Sequence, residues 1–208
     1  DIHNLDFLSV DILFLPNEKE MYQKVGEVDI PSSDLFNKLE GKSRPHFFYG
    51  VTTIVAKLFN VIRPTHTFFG EKDAQQLFII TEMIVLMKYS IKMVSCPTIR
   101  DENGLALSSR NSYLTSDEKK QAAIINKSLM KVKEGLDQGI SNPHKLKDIF
   151  KKNIVTNHKM KIDYISIADI KTLDEIDTIK EQKVLVSTAV FFQGVRLIDN
   201  FIYRLSET

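Results

Sequence analysis

The strongest hydrophobic pattern in the chain is a helical one at residues 48–62. Its apolar positions recur three and four residues apart: Val51, Ile54, Val55, Leu58, Phe59 and Ile62. This spacing predicts an amphipathic helix, because residues that far apart share one helix face. Pro64 ends the predicted helix, since proline lacks the N–H group that a helix interior requires.

A strand, a turn, a helix and a second strand are predicted next. Residues 65–69 are rich in β-formers, and Gly70 interrupts them. Asp73 is then a suitable N-cap for a helix over about residues 74–89. Residues 91–96 form the next strand-like run. This order predicts a β-α-β unit, which requires a parallel sheet and a right-handed crossover.

Two segments closer to the start of the chain have weaker patterns. The apolar run at residues 10–15, closed by Pro16, predicts a further buried strand. Residues 33–39 predict a short helix in a region that several glycines and prolines interrupt. We therefore expect a third strand ahead of the β-α-β unit.

The second half of the chain predicts two helices and a small antiparallel sheet. A capping box at residues 115–118 begins a helix that reaches about Leu136, and Pro143 starts a second helix to about Ile154. Three strand-like segments complete the chain: residues 162–168, 184–192 and 195–202, with a hairpin turn at 193–194. A parallel α/β region followed by an α+β region is the fold class that these patterns predict.

Composition and charge narrow the range of functions. The 28 basic and 27 acidic residues leave a net charge of +1, so no strong field favours nucleic acid or a membrane surface. No apolar run is long enough to span a bilayer. The single cysteine, Cys96, excludes an internal disulfide and fits a cytoplasmic protein. The five histidines are scattered without ligand spacing, so no metal site is predicted.

One candidate for chemistry is the strand-to-helix turn formed by Gly70, Glu71, Lys72 and Asp73. Ligands of parallel α/β sheets bind at such turns. Glycine allows close approach of a ligand, and Lys72 supplies a mobile positive charge suited to phosphate. A capped surface helix explains the same four residues, so both interpretations stay open for the turn alone.

A second candidate is the loop that contains Ser108, Ser109, Arg110 and Asn111. Two hydroxyls and a guanidinium can surround a triphosphate, because each of them donates hydrogen bonds to phosphate oxygens. Taken by itself, a polar loop ahead of the next helix is the simpler interpretation.

Read together and in order, these segments resemble the pantothenate synthetase family almost from end to end. The matching segments are Val10–Pro16, Ser43–Pro45 with Phe48 and residues 50–59, Arg63-Pro64 with residues 69–77, residues 97–100, residues 104–111 and residues 196–200. Several motifs in a fixed order are far more specific than any one of them.

The resemblance implies a fold and a reaction. The fold would be a partial Rossmann-like nucleotidyltransferase domain with a parallel sheet at residues 1–98, followed by a small α+β C-terminal lid domain at residues 99–208, usually in a homodimer. The reaction would be the ATP-dependent ligation of pantoate and β-alanine to pantothenate. A pantoyl adenylate would form first, with release of pyrophosphate, and β-alanine would then displace AMP. Mg²⁺ would bind the phosphates.

The resemblance also implies roles for individual residues. Lys72 would contact the α-phosphate and the pantoyl oxygen, and Gln76 would hydrogen-bond pantoate. Four residues would be catalytic: Lys72, Ser108, Ser109 and Arg110. The ATP site would comprise Gly70, Glu71, Lys72, Asp73, Ile99, Leu107, Ser108, Ser109 and Arg110. Within it, Gly70 and Asp73 would meet the ribose, the backbone of Ile99 and Leu107 the adenine, and the serine–arginine loop the triphosphate.

The sequence departs from the family pattern in two places. In the RPxHFxGV segment, His46 lies one position early and Phe47 takes the place of the histidine, so no role is carried over to His46. The MGxLHxGH motif of the family, with its first strand and its substrate-binding glutamine, does not occur in this sequence. We expect that portion on a separate or cleaved piece, or outside this sequence, and we expect residues 1–208 alone not to turn over normally.

Two alternatives therefore accompany the ligase interpretation. The chain could be a non-catalytic remnant that retains part of an ATP site. It could also be a related adenylyltransferase that acts on another acid, because half of the acid pocket is not represented in the sequence.

Overall fold

The structure is a computed structural model that describes residues 2–22, 28–180 and 183–204. Its helices are α1 (Ile2–Phe7), α2 (Glu18–Tyr22), α3 (Leu39–Ser43), α4 (Phe47–Ile62), α5 (Ala74–Leu86), α6 (Ser116–Ala122), α7 (Ile124–Asp137) and α8 (Pro143–Ile154). Its strands are β1 (His66–Gly70), β2 (Lys92–Cys96), β3 (Met160–Asp169), β4 (Val184–Phe192) and β5 (Val195–Tyr203). Three 3₁₀ helices lie at Asp34–Asn37, Glu71–Asp73 and Ser109–Tyr113. No helix in the described ranges has the length and hydrophobicity needed to cross a membrane.

The predicted β-α-β unit is confirmed. Strands β1 and β2 pair in parallel, with Phe68 opposite Val94, and α5 connects them. Helix α4 packs against α5 through a buried cluster that includes Ala56, Phe59 and Ile80. Parallel pairing places the carboxyl ends of β1 and β2 at one edge, so the turn after β1 opens at the position where α/β proteins bind ligands.

The predicted α+β region is also confirmed. Strands β3, β4 and β5 form an antiparallel sheet in that order. Gln193 and Gly194 form the β4–β5 turn with φ values of 50° and 76°, as a two-residue hairpin turn with two positive φ angles requires. Helices α7 and α8 cover one face of the sheet with fully buried side chains such as Leu129 and Phe150. Burying a side chain of that size contributes about 1.5–3 kcal/mol.

A third hydrophobic cluster joins the two regions. It brings Phe48 of α4 and Ile79 of α5 together with Leu173 and Leu185 of the antiparallel region. An ion pair between Lys38 and Asp174 lies across the same junction. The start of α5 therefore packs against the antiparallel sheet, and a cavity between them has walls from both regions.

The strand predicted at residues 10–15 is wrong. The segment has no regular secondary structure, and its apolar side chains are exposed, with Ile12 at 85%. A strand requires a neighbouring strand to bond its N–H and C=O groups. Within the described ranges, the parallel sheet contains only β1 and β2, and this segment pairs with neither. The segment therefore has the composition of a strand but no neighbouring strand to form hydrogen bonds with.

Two predicted helices differ in detail from the observed ones. Asp73 precedes α5, but its side chain makes no capping bond, because a 3₁₀ turn leads directly into the helix. The helix predicted from residue 115 to about Leu136 is divided into α6 and α7 at Ala123. Its capping box is confirmed: the Thr115 side chain accepts from the Glu118 N–H, and the Glu118 carboxylate accepts from the Thr115 N–H.

Candidate functional site

A cavity of about 300 Å³ lies between the start of α5 and the antiparallel sheet. Its walls come from α3, the start of α4, the 3₁₀ helix Glu71–Asp73, the start of α5, the 3₁₀ helix Ser109–Tyr113 and all three strands of the sheet, β3, β4 and β5. The charged side chains around it are Glu40, Arg44, Lys72, Asp73, Arg110, Arg196 and Asp199. Of the predicted site residues, Lys72, Asp73, Gln76 and Arg110 line this cavity.

The turn that carries Lys72 is held from β5. The side-chain amide of Asn200 donates to the carbonyl oxygens of Glu71, at 3.0 Å, and Lys72, at 2.7 Å. On the other side of the turn, Ser95 donates its hydroxyl to the Glu71 carboxylate at 2.6 Å. The Lys72 side chain is only 14% exposed, and its ammonium lies 3.8 Å from the Asp73 carboxylate. Among the described residues, the Lys72 ammonium thus has one carboxylate within ion-pair distance, at 3.8 Å, and Lys72 lines the cavity.

Arg100 and Asp199 connect the next predicted loop to the same strand. Arg100 donates through both Nη atoms to the Asp199 carboxylate, and Nη1 also donates to the Gly104 carbonyl at 3.1 Å. The Asn200 N–H donates to Asp199 Oδ1 at 2.8 Å. Both oxygens of the buried Asp199 carboxylate therefore accept hydrogen bonds, and Arg100 balances its negative charge.

Arg196 is neutralised by two carboxylates at the cavity wall. It donates to Glu40 at 2.5 and 3.2 Å and to Asp163 at 2.7 and 3.0 Å. Burial lowers the pKa of Arg196, but the bonds to Glu40 and Asp163 outweigh it and raise the pKa overall. Burial raises the pKa of the neighbouring Tyr164 well above its usual range, and the Glu40 charge raises it further. The positive charge of Arg196 is therefore balanced by the carboxylates of Glu40 and Asp163.

Arg44 and Arg110, in contrast, have no carboxylate within ion-pair distance in the described part of the chain. The Arg44 guanidinium lies 3.6 Å from the centre of the Phe47 ring, which favours a cation without neutralising it. Both arginines line the cavity with Lys72. Three cations at one cavity attract an anionic ligand, such as a carboxylate or a phosphate.

The serine–arginine loop forms the 3₁₀ helix Ser109–Tyr113. The Ser108 hydroxyl caps it by accepting from the Arg110 N–H at 3.2 Å. The side-chain amide of Asn111 donates to the Ala106 carbonyl at 3.1 Å and fixes the loop from inside. A small crevice of about 10 Å³ brings Lys72, Ser108 and Arg110 together, whereas Ser109 is exposed and lines neither cavity.

The remaining predicted residues line neither cavity. The Leu107 N–H donates to the Ile99 carbonyl at 2.9 Å, so those two backbone groups satisfy each other, and both side chains are exposed. Gly70 lies at the exposed end of β1, and a Cβ added there would meet no described atom within 4 Å. The Glu71 carboxylate accepts from the Ser95 hydroxyl, and Glu71 does not line the cavity. His46 adopts a left-handed conformation, with a φ of 63°, and only its neighbour Phe47 lines the cavity.

Sequence reasoning missed several residues that build the site. It assigned no role to Glu40, Arg44, Arg100, Asp199 or Asn200, although most of these lie in the motifs that it recognised. Glu40, Arg100 and Asn200 each bond to a residue 99 to 156 positions away along the chain. The spacing of nearby residues could not have predicted these contacts. The one indication in the sequence was that most of these residues lie in segments that match the family motifs.

The described side chains do not form a site of their own for a metal ion. Among the side chains that the structure describes, no three histidine, cysteine, aspartate or glutamate residues lie close enough together to hold an ion. The carboxylates at the cavity are bound mainly to arginine and lysine. These residues do not form a dedicated cation cage.

The chain resembles known enzymes over nearly its whole length. A sequence profile of the family described as Pantoate-beta-alanine ligase matches residues 1–202. The pantothenate synthetase of Acetivibrio thermocellus is 41% identical over 205 residues, which are 99% of this chain and 73% of that protein. The pantothenate synthetase of Clostridioides difficile is 43% identical over 195 residues, which are 94% of this chain and 69% of that protein.

Solved structures agree with the sequence comparison. A crystal structure of pantothenate synthetase from Thermus thermophilus is similar with a TM-score of 0.85 at 33% identity, covering 97% of this chain and 74% of that one. A crystal structure of pantoate-beta-alanine ligase from Francisella tularensis, complexed with beta-gamma ATP and beta-alanine, is similar with a TM-score of 0.68 at 34% identity. It covers 97% of this chain and 68% of that one.

Proposed function

The chain belongs to the pantoate–β-alanine ligase family, whose members form pantothenate from pantoate and β-alanine, and on that premise we propose how its residues serve the reaction. The observation that carries the proposal is the cavity where Lys72, Gln76 and Arg110 meet. Its positive charge suits both the pantoate carboxylate and the phosphates of ATP. The protein would thus be an AMP-forming ligase of pantothenate biosynthesis.

The first step would be adenylation. A pantoate carboxylate oxygen attacks the α-phosphorus of ATP, the bond to the β-phosphate oxygen breaks, and pyrophosphate leaves with that electron pair. Lys72 would stabilise the negative charge that develops on the α-phosphate oxygens, because a buried cation acts more strongly than a solvated one. Gln76 would orient pantoate by hydrogen bonding.

The second step would be amide formation. The neutral amine of β-alanine attacks the acyl carbon of pantoyl adenylate, the carbon–oxygen bond to AMP breaks, and the nitrogen loses a proton to solvent. Holding both reactants in one cavity makes the attack effectively unimolecular. The ATP and β-alanine in the Francisella tularensis ligase support this choice of substrates.

The ribose and the adenine of ATP would be held by Gly70, Asp73, Ile99 and Leu107. Gly70 leaves open space where a side chain would stand, so the ribose could approach the backbone there, next to Asp73 and the Glu71 backbone. The Leu107 N–H is already bonded to the Ile99 carbonyl, so we assign adenine to the remaining pair, the Ile99 N–H and the Leu107 carbonyl.

The triphosphate would lie along the serine–arginine loop. Ser108 and Arg110 adjoin Lys72 in the small crevice, and the exposed Ser109 hydroxyl is accessible from solvent. Mg²⁺ would shield the phosphate charge when bound, but the described protein residues do not build a site for it. It would therefore arrive on the phosphate oxygens and keep most of its waters, which is how Mg²⁺ commonly binds nucleotides.

Three further properties belong to the same proposal. The domain boundary would lie at residues 98 and 99, directly after the parallel sheet. The protein would be a cytoplasmic homodimer, as the family resemblance implies, and light scattering of the purified natural protein tests the dimer. A mass equal to one chain would overturn that part alone.

The reaction is tested by measuring AMP release from ATP with the intact natural protein. We expect release that depends on both pantoate and β-alanine, and pyrophosphate release that depends on pantoate only. AMP formation no greater than without the acids would contradict the proposal and favour a non-catalytic remnant. Release supported equally by other carboxylic acids would favour a related adenylyltransferase.

A further inference from the structure

We propose that Asn200 is a positioning residue that acts through Lys72, a role that rests on the function proposed above. The Asn200 amide has two N–H donors, and the carbonyls of Glu71 and Lys72 accept both of them, at 3.0 and 2.7 Å. One side chain therefore orients two successive peptide groups at the turn that aims the Lys72 ammonium into the cavity.

Asn200 is itself held in place from two directions. It is buried in β5, where Ser187 of β4 is its cross-strand partner. Its N–H donates to Asp199 Oδ1 at 2.8 Å, and Arg100 holds the same carboxylate in a fork. The backbone that carries this side chain is therefore fixed within the sheet by contacts that do not involve the turn. A side chain that orients a catalytic group needs this kind of fixed backbone support.

Among the described residues, the other side-chain bond to this turn from a different element is that of Ser95, which donates to the Glu71 carboxylate and leaves the Glu71 and Lys72 carbonyls to Asn200. The 3₁₀ helix Glu71–Asp73 has only three residues, Gly70 has no side chain to cap it, and the Asp73 side chain makes no capping bond to α5. Lysine reaches the cavity on a flexible four-carbon stem, so the backbone at Lys72 decides where its charge can lie. A displacement of about 1 Å at a reacting group can cost about 100-fold in rate. The contacts of Asn200 therefore bear on the chemical step more than on nucleotide binding.

Aspartate could not replace asparagine here. It has the same shape but at neutral pH only accepts hydrogen bonds, so it would place a carboxylate against two carbonyl oxygens. A serine carries one donor, but its side chain is too short to place that donor where the Asn200 amide nitrogen lies. The residue type at this position is thus matched to the two carbonyls that it faces.

The test compares Asn200→Ala and Asn200→Ser in two backgrounds, with Lys72 present and with Lys72→Ala. With Lys72 present, we expect kcat for pantoate-dependent pyrophosphate release to fall about 100-fold in both variants, because neither places a donor at the position of the Asn200 amide. The KM for ATP should stay within about twofold. In the Lys72→Ala background, the same substitution should cost no more than about twofold. Equal losses in both backgrounds would overturn the proposal, because they would show a merely structural role.

A second measurement does not depend on turnover. The lysines are labelled by reductive ¹³C-methylation, and the Lys72 resonance is assigned by its loss in Lys72→Arg. We expect this resonance to shift in Asn200→Ala but not in the control Asn153→Ala, whose side chain donates to a carbonyl within α8. A shift without any turnover in the wild type would sustain the positioning role and contradict the proposed function. Normal turnover with neither a shift nor a loss of kcat would overturn the positioning role alone. Asn200→Ser replaces Asn200→Ala in this comparison if the alanine variant does not fold.

Discussion

Arg100 holds the carboxylate of Asp199 in a two-bond fork, with Nη1 at 2.7 Å from Oδ2 and Nη2 at 2.9 Å from Oδ1. The two residues are 99 positions apart in the chain, and Asp199 is only 4% exposed. The fork joins the loop after the parallel sheet to the last strand of the antiparallel sheet. Asp199 also accepts from the Asn200 N–H, and the Asn200 side chain bonds to the Lys72 turn. Weakening the fork should therefore also displace the Lys72 turn.

Loss of the Asp199 carboxylate should be among the more destabilising changes in the chain. Asp199→Ala leaves Arg100 and the Asn200 N–H without their acceptor. Removing one partner of a buried ion pair costs about 3–5 kcal/mol, and the 24% exposure of the Arg100 side chain places this case at the low end. Urea unfolding measures the loss. The matched control is Asp117→Ala, because Asp117 pairs with Lys120 on the open surface. Equal losses in the two variants would contradict the prediction.

Lys72→Ala should reduce adenylation while the fold persists. Loss of one group that stabilises transition-state charge typically costs about 100- to 1,000-fold in kcat. Pantoate-dependent pyrophosphate release and far-UV circular dichroism are measured together, with the exposed Lys120→Ala as the control. Near-normal turnover in Lys72→Ala would remove this residue from the chemistry.

The ion pair between Glu40 and Arg196 should couple the two regions of the protein. Their side chains are only 12% and 18% exposed, and the bond joins α3 to β5 at the cavity wall. In a double-mutant cycle with Glu40→Gln and Arg196→Gln, we expect a coupling free energy of about 1–3 kcal/mol. Denaturant unfolding of all four proteins gives this value. A coupling near zero would mean that the pair is a consequence of the packing and does not support it.

Tyr164 should make stability fall at high pH. Its pKa is raised by burial and by Glu40, so the folded protein retains the phenolic proton longer than the unfolded chain does. The unfolded chain binds fewer protons above its tyrosine pKa of about 10, and stability must decrease as pH rises through that range. The decrease should be smaller in Tyr164→Phe. Urea midpoints at a series of alkaline pH values compare the two proteins, and parallel pH profiles would show that Tyr164 does not contribute.

Local elements followed from local patterns. The apolar face of α4, the capping box at Thr115, the proline at the start of α8 and the hairpin at Gly194 each depend on neighbours within a few residues, and each was predicted. The run at residues 10–15 shows the limit of such patterns. Its composition favours a strand, but a strand exists only when another strand lies beside it.

The sequence by itself determined the β-α-β unit, the antiparallel sheet and the family, because hydrophobic periodicity and ordered motifs are properties of the chain alone. It also named Lys72, Gln76 and Arg110, which the tertiary structure brings to one cavity. Only the tertiary structure decided that Asn200 holds the Lys72 turn and that Arg196 is neutralised by two carboxylates. The physical reason is that hydrogen bonds and ion pairs act over a few ångströms, and distances of that kind between remote residues are set by packing.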